Sequence, residues 1–167
     1  MRRVCLFLTA VLLWLMPAAA VAPAAHAAGT WMWPVMGPVL EPFDPPASPF
    51  GSGHRGIDIG GAVGTTVVAA SDGVVTFAGP VGGRLFLTID HGGGLESRYS
   101  FLDALVVRRN DPVTAGMPIA STGPGHAGSL VPHLHFAVLI ADEYQDPLDH
   151  LMPISVTSFI RLAPLPS

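Results

Sequence analysis

The stretch Thr65–Ala78, TTVVAASDGVVTFA, carries the clearest evidence for the fold of this 167-residue chain. Residues 65–70 are β-branched or small, residues 71–73 (Ser-Asp-Gly) have the composition of a tight turn, and residues 74–78 are again mostly β-branched and apolar. Short β-branched runs separated by turn residues predict β-strands rather than helices. The stretch therefore predicts a strand, a turn and a second strand.

The same alternation of strands and turns continues along the chain. Further apolar runs lie at Leu85–Ile89, Leu95–Leu102, Val106–Ile119 and His133–Ile140, and turn-forming residues lie at 79–80, 91–94, 110–112 and 116. Glycine and proline together make up about a fifth of the residues, which suits a domain with many turns. This pattern predicts an all-β fold built on an antiparallel sheet, with no long helix, internal repeat or linker after the first 27 residues.

The first 27 residues read as a secretory signal peptide. Arg2 and Arg3 give a positive start, Val4–Met16 is almost continuously apolar, and residues 25–27 (Ala-His-Ala) have the small-x-small pattern of a cleavage site. The apolar run is shorter than the roughly 20 residues that a membrane helix needs. We expect cleavage near Ala27 and a secreted or extracytoplasmic mature chain without a transmembrane span; an uncleaved anchor helix is the alternative.

The chain divides into four parts: the signal peptide at 1–27, an extended proline-rich lead-in at 28–50, a β domain at 51–152 and a C-terminal tail at 153–167. Prolines throughout the lead-in exclude a helix there. The only cysteine is Cys5, inside the signal peptide. The mature chain would therefore have no disulfide, and its stability must come from its hydrophobic core or from a metal ion.

The charge of the chain excludes one class of partner. Without Arg2 and Arg3, six basic residues remain against twelve acidic ones. An acidic chain without basic runs argues against a nucleic-acid ligand. The composition does not indicate an oligomeric state.

Two short motifs contain residues that could bind one metal ion together. GHRGIDI holds His54 and Asp58, and PHLHF holds His133 and His135. In an extended chain, residues two or four apart point to the same side, so each pair shares a face. Three nitrogen or oxygen ligands plus an open water position are typical of catalytic zinc, whereas structural zinc is usually held by four ligands rich in cysteine. A histidine pair alone is equally compatible with two hydrogen-bonded polar side chains.

Both motifs resemble the two signatures of the lysostaphin/LytM-type peptidoglycan metalloendopeptidases. The resemblance extends over about Trp31 to Leu151. Its other segments are WPV at 33–35, VVAASDGVVTFAG at 67–79, which resembles a first core hairpin, LTIDHGGGLESRYSFL at 87–102, which resembles a central hairpin, VTAGMPIASTG at 113–123 and DPL at 146–148.

The resemblance implies an antiparallel sheet of the duplicated-hybrid-motif kind with a substrate groove, and one Zn²⁺ per chain. It also implies hydrolysis of peptide bonds in the stem or cross-bridge peptides of peptidoglycan. By position, His54, Asp58 and His135 would be the zinc ligands, and His133 would be a catalytic histidine beside the metal. An imidazole there can take or return a proton at neutral pH.

The sequence departs from the family at one catalytic position. The Tyr-x-His-Leu motif reads YSFL here, with Phe101 in place of the histidine. Phenylalanine cannot transfer a proton or form a hydrogen bond through its side chain. Asp103 and His126 are the candidates to replace the histidine; the alternative for both is a solvated loop residue without a catalytic role. The alternative function is therefore a weakened or inactive relative that binds cell wall or regulates another wall hydrolase.

Overall fold

The computed structural model describes residues 30–48 and 51–153. The signal peptide predicted for residues 1–27 lies outside these residues, as does the predicted tail except for Pro153. Within the described residues, no helix has the length and hydrophobicity needed to cross a membrane.

Ten β-strands form one sheet, and the other regular element in the described residues is a single 3-10 turn at Pro147–Asp149. The strands are β1 Val39–Glu41, β2 Ile57–Gly60, β3 Thr66–Val68, β4 Gly73–Val81, β5 Arg84–Asp90, β6 Leu95–Leu105, β7 Pro112–Val113, β8 Pro118–Thr122, β9 His133–Ile140 and β10 Glu143–Gln145. All of their pairings are antiparallel, which confirms the predicted all-β antiparallel fold.

The order of the strands brings distant parts of the sequence together. The main path runs β1-β2-β9-β6-β5-β4-β7, while β10 pairs with β9, and β8 pairs with both β6 and β3. The predicted central hairpin is present as β5 and β6. The apolar run predicted as a strand at His133–Ile140 is present as β9, with the same bounds. Because β2 lies beside β9, the motifs GHRGIDI and PHLHF are direct neighbours.

The strands at 65–78 differ in two ways from the sequence pattern. First, β3 and β4 do not pair as a hairpin, because the backbone of β3 and of the residues after it bonds to β8, to Gly116 and to Met32 instead. Second, Gly79 and Pro80 do not end the strand, since β4 continues to Val81. Proline is tolerated because β4 there pairs only with β5, so the missing N–H faces away from the ladder.

The hydrophobic core lies directly behind the two motifs. Ile57 and Ile59 of β2 and Leu134 and Phe136 of β9 are fully buried. Burial of these side chains fixes the register of both strands, because a slip of one residue would turn them to the opposite face. The core therefore determines which side the intervening polar residues occupy.

Candidate metal centre

The pairing of β2 with β9 places Asp58 directly opposite His135. Side chains of opposite residues in an antiparallel pair lie on the same face. His54 precedes β2, and its backbone is held by two hydrogen bonds with Asp44, of 2.7 and 3.0 Å. The sheet register and this bridge together bring three side chains to one point.

The three donor atoms form a small triangle. Nε2 of His54 lies 3.2 Å from Oδ1 of Asp58 and 3.0 Å from Nδ1 of His135. Nδ1 of His135 lies 2.9 Å from the same Oδ1. Zinc ligands at about 2.0–2.2 Å in tetrahedral geometry stand about 3.3–3.5 Å apart. The triangle is therefore close to the size that a zinc ion needs.

The tautomer of His54 directs a nitrogen lone pair toward the centre of this triangle. Its Nδ1–H donates to the carbonyl oxygen of Pro42 at 2.8 Å, so in the neutral ring Nε2 carries a lone pair. Nε2 and the carboxylate oxygen then both offer lone pairs to the centre. A histidine that donates its other N–H to a backbone carbonyl is typical of metal ligands. Only the proton on Nδ1 of His135 has to leave before a cation binds.

Gly56 shapes the wall of this cluster. A Cβ at this position would lie 2.4 Å from the carbonyl oxygen of Phe136 and 3.0 Å from two atoms of the His135 ring. The motif therefore needs glycine here because the backbone lies directly against the ligand ring. The single zinc ion predicted from the sequence fits this cluster. The ligand atoms are nitrogen and oxygen, the tautomer of His54 is fixed, and the backbone of Gly56 lies against the ring of His135.

Asp58 is almost completely buried, at 2% exposure. Burial by itself would raise its pKa, but the hydrogen bond from His135 and the electrostatic influence of His133, His135 and His54 outweigh it, so the pKa is lowered. The carboxylate is thus held ionised among imidazoles. An anionic ligand of this kind strengthens the attraction of a divalent cation to the cluster.

His133 lies beside the cluster but outside the triangle. Its Nδ1–H donates to the carbonyl oxygen of Val131 at 2.9 Å, with Oγ of Ser129 at 3.3 Å. Its Nε2 faces Oδ2 of Asp58 at 3.4 Å. The ring is therefore fixed with its lone-pair nitrogen toward the centre, which is the orientation a general base needs.

The candidates to replace the histidine missing at position 101 lie in different surroundings. His126, in the 123–132 loop, has its ring centre 4.9 Å from that of His133 and 6.1 Å from that of Phe101. Asp103 is exposed and is not among the residues that line the groove. The reason is local: Phe101 has a φ of +63° and the register shifts between Leu102 and Ala104, so the simple alternation of faces fails.

A groove of about 600 Å³ opens in front of the cluster. His54, His126 and His135 line the end of the groove next to the cluster, and Phe86, Phe101 and Ala137 give it an apolar surface.

The groove also contains charged residues that the sequence analysis did not single out as metal ligands or catalytic groups. Arg98 lies within it, with its guanidinium 3.0 Å from Glu96 and 3.4 Å from the hydroxyl of Tyr144. Glu41 and Arg55 are further members. No sequence pattern indicated Tyr144, since it lies in a three-residue strand. The sequence did not indicate Arg98 as a groove residue either, because its position there depends on the pairing of β6 with β9.

Comparison with known proteins gives a consistent result for the sequence. The profile described as Peptidase family M23 matches residues 52–147. The chain is 34% identical over 124 residues to the murein hydrolase activator NlpD of Escherichia coli (strain K12). The match covers 73% of this chain and 31% of that protein, so the chain spans about a third of the relative's length.

Solved structures give the same result for the fold. A zinc-containing peptidase from Vibrio cholerae superposes with a TM-score of 0.63 at 27% identity, covering 74% of this chain and 41% of that one. The antimicrobial peptidase lysostaphin from Staphylococcus simulans superposes with a TM-score of 0.62 at 28% identity, covering 75% and 53%. The antiparallel β fold is therefore shared with solved peptidases.

Proposed function

The chain belongs to Peptidase family M23, and from this we propose that it is a zinc-dependent endopeptidase that cleaves peptide bonds in bacterial peptidoglycan. The observation that carries the proposal is the convergence of His54, Asp58 and His135 at the end of a groove. The tautomer of His54 directs the lone pair of its Nε2 toward the centre of this cluster. The similarity to a zinc-containing peptidase and to the activator named for murein hydrolases supports the metal and the substrate.

Each residue of the cluster has a distinct part in this proposal. A bound zinc ion would polarise a peptide carbonyl and lower the pKa of water. His54, Asp58 and His135 would hold it. His133 would accept a proton on Nε2, because Nδ1 already carries a proton that it donates in a hydrogen bond to the carbonyl oxygen of Val131. The groove holds the peptide in an extended form, with Phe101 and Phe86 packing against its apolar parts.

We further propose that the protein acts outside the cytoplasm, in the cell envelope, after cleavage near Ala27. The signal-like residues 1–27 support this location. The location also agrees with the proposed substrate, since peptidoglycan lies in the cell envelope.

Digestion of purified peptidoglycan tests the proposal. Zinc-loaded protein should release new peptide amino termini that mass spectrometry can identify, and His54→Ala should release none. Removal of zinc by a chelator should also abolish the new termini, and readdition should restore them. Zinc-loaded protein that cuts nothing at high concentration would contradict an enzymatic role.

A second candidate function is a non-catalytic module that binds cell wall or regulates another wall hydrolase. Two observations favour it: Phe101 cannot supply a proton, and the relative NlpD is described as a murein hydrolase activator. This function predicts saturable binding of the protein to purified sacculi without new peptide termini. An absence of binding would contradict it.

A further inference from the structure

The two oxygens of the Asp58 carboxylate face different pairs of histidines. Oδ1 belongs to the triangle with His54 and His135. Oδ2 lies 3.4 Å from Nε2 of His133 and 3.8 Å from Nε2 of His126. The donor atoms of Asp58, His126 and His133 all lie within 4.8 Å of one another. We propose that they form a second site for Zn²⁺ or a similar divalent transition metal, which shares the Asp58 carboxylate with the first.

The tautomers in this second cluster repeat the pattern of the first. Nδ1–H of His133 donates to the carbonyl oxygen of Val131 at 2.9 Å, and Nδ1–H of His126 donates to that of Ala127 at 3.1 Å. In the neutral rings, both Nε2 atoms therefore carry lone pairs that face a carboxylate oxygen. Three lone pairs that meet in this way repel one another unless a cation or a proton lies between them.

The distances in the second cluster are compatible with a metal ion between the donor atoms. Hydrogen bonds between nitrogen and oxygen are about 2.7–3.2 Å long, and both contacts to Oδ2 are longer than this. They are closer to the roughly 3.3–3.5 Å that separates two ligands of one tetrahedral zinc ion. The backbone N–H of His126 also approaches Nε2 of His133, but at 3.4 Å it is a weak competitor.

The second cluster is open toward the groove on one side. The side chain of His126 is 44% exposed, whereas those of Asp58 and His133 are 3% and 1% exposed. Water can therefore complete the coordination sphere from the groove. Because one ligand lies on a loop and the carboxylate is shared, we expect the second ion to bind more weakly than the first.

Two metal ions bridged by a carboxylate are a common arrangement in hydrolases, with the ions about 3.5–4 Å apart. Here the arrangement has a further consequence, which rests on the proposed peptidase activity. Nε2 of His133 cannot both bind the second ion and accept a proton. Zinc in excess of one ion per chain should therefore slow cleavage, and His126→Ala should weaken this dependence on excess zinc.

Counting bound metal tests the site without any need for activity. Tag-free protein is dialysed against increasing free Zn²⁺, and the bound metal is measured by native mass spectrometry and elemental analysis. We expect two ions per chain, bound in two steps. We expect one ion in His126→Ala and one in His54→Ala, while His150→Ala, outside both clusters, should keep two.

Cobalt distinguishes a shared site from a separate surface site. Two Co²⁺ ions that share a carboxylate are magnetically coupled, so the electron paramagnetic resonance signal of the singly loaded protein should lose intensity when the second ion binds. Saturation at one ion per chain would overturn the proposal, as would two ions in His126→Ala or two uncoupled Co²⁺ ions. These outcomes are independent of whether the protein cleaves peptidoglycan.

Discussion

Phe101 has a backbone conformation that suits other residues better. Its φ of +63° lies in the left-handed region, where bulky side chains are uncommon and histidine, asparagine and aspartate are enriched. Its ring packs 5.7 Å from that of Phe86 and 6.2 Å from that of His133. A histidine at this position would therefore suit the backbone and would lie among groups that it can hydrogen-bond.

Phe101→His should increase the rate of peptide cleavage by the zinc-loaded protein. Positioned acid–base groups contribute about 10²–10⁴-fold to rate, and we expect a gain in kcat of at least about tenfold because the geometry of a new side chain is not refined. The measurement is kcat on a peptidoglycan peptide. Phe101→Leu is the matched control, since it removes the phenyl ring without adding a nitrogen. Equal values of kcat in the two variants would contradict the prediction.

The residues of the first cluster could be proposed from the sequence because both motifs resemble family signatures, and because the alternation of side chains in an extended strand places the members of each pair on one face. Leu134 and Phe136 are fully buried and His135 lies between them, as the alternation requires. His126 is a different case. Its position depends on the path of the 123–132 loop, and no periodic pattern describes a loop. The contact of His126 with Asp58 became visible only in the structure.

At the scale of elements, the 123–132 loop is held closely against His133. A Cβ at Gly125 would lie 2.3–2.9 Å from three atoms of the His133 ring, whereas a Cβ at Gly128 would meet nothing within 4 Å. The two glycines have nearly the same φ, +87° and +91°. They therefore differ in their surroundings and hardly at all in backbone strain.

Gly125→Ala should destabilise the protein more than Gly128→Ala. Both changes place a Cβ in a left-handed conformation, which costs about 1–2 kcal/mol. Only Gly125→Ala also forces the loop or the His133 ring to move, which adds about 1–3 kcal/mol. Urea unfolding measures the difference, and the imidazole resonances of His133 should shift only in Gly125→Ala. Equal stabilities and unchanged resonances would show that the loop does not rest on the ring.

Strand β6 contributes a buried polar chain to the core. The hydroxyl of Tyr99 accepts a hydrogen bond from the backbone of Ala70 at 2.9 Å and lies 3.2 Å from Oγ of Ser97. Ser97 in turn contacts Nε2 of His91 at 2.8 Å, and Nδ1–H of His91 donates to the carbonyl oxygen of Asp72 at 2.6 Å. This chain ties β6 to the turn before β4.

The stability of the protein should fall between about pH 10 and pH 12 because of Tyr99. Burial raises its pKa to about 12 from the ordinary value of 10.0, despite hydrogen bonds with Ser97 and Ala70 that lower it. The unfolded chain therefore loses the proton first, and stability that is complete below pH 10 is lost as the pH approaches 12. We expect a loss of about 2–3 kcal/mol over this window in urea unfolding.

Tyr99→Phe is the control for this pH dependence. It removes the ionisable group and should abolish the part of the loss that Tyr99 causes. It should also lower stability at neutral pH by about 1–3 kcal/mol, because the N–H of Ala70 loses its buried acceptor. A variant that loses stability above pH 10 as steeply as the unchanged protein would contradict the assignment.

For the whole molecule, the pattern of strands and turns was sufficient to predict the class of fold but not its pairings. The central hairpin was predictable because β5 and β6 are adjacent in sequence and joined by a glycine turn. The partner of β3 was not, because β8 lies about fifty residues later and no local signal identifies a distant partner. The sheet is completed by long-range pairings of this kind, and one of them, β2 with β9, brings Asp58 and His135 of the candidate metal centre together.

Zinc should stabilise the folded molecule, because the first cluster joins β2 and β9 to His54, which is itself held by Pro42. These parts meet only in the folded state, so the ion binds the native protein far better than the unfolded chain. At free zinc one hundred times the dissociation constant, the gain is about 2.7 kcal/mol, or roughly 5–10 °C in Tm for a domain of this size. Calorimetry with and without a chelator measures it.

His54→Ala is the decisive control for this effect. It removes one corner of the triangle and the contact with Pro42 while leaving the strands of the sheet intact. Its Tm should therefore respond much less to zinc, whereas His150→Ala should respond like the unchanged protein. If His54→Ala kept the full shift in Tm, the stabilising ion would bind elsewhere. Binding at Asp58 and His135 would then not explain the gain in stability.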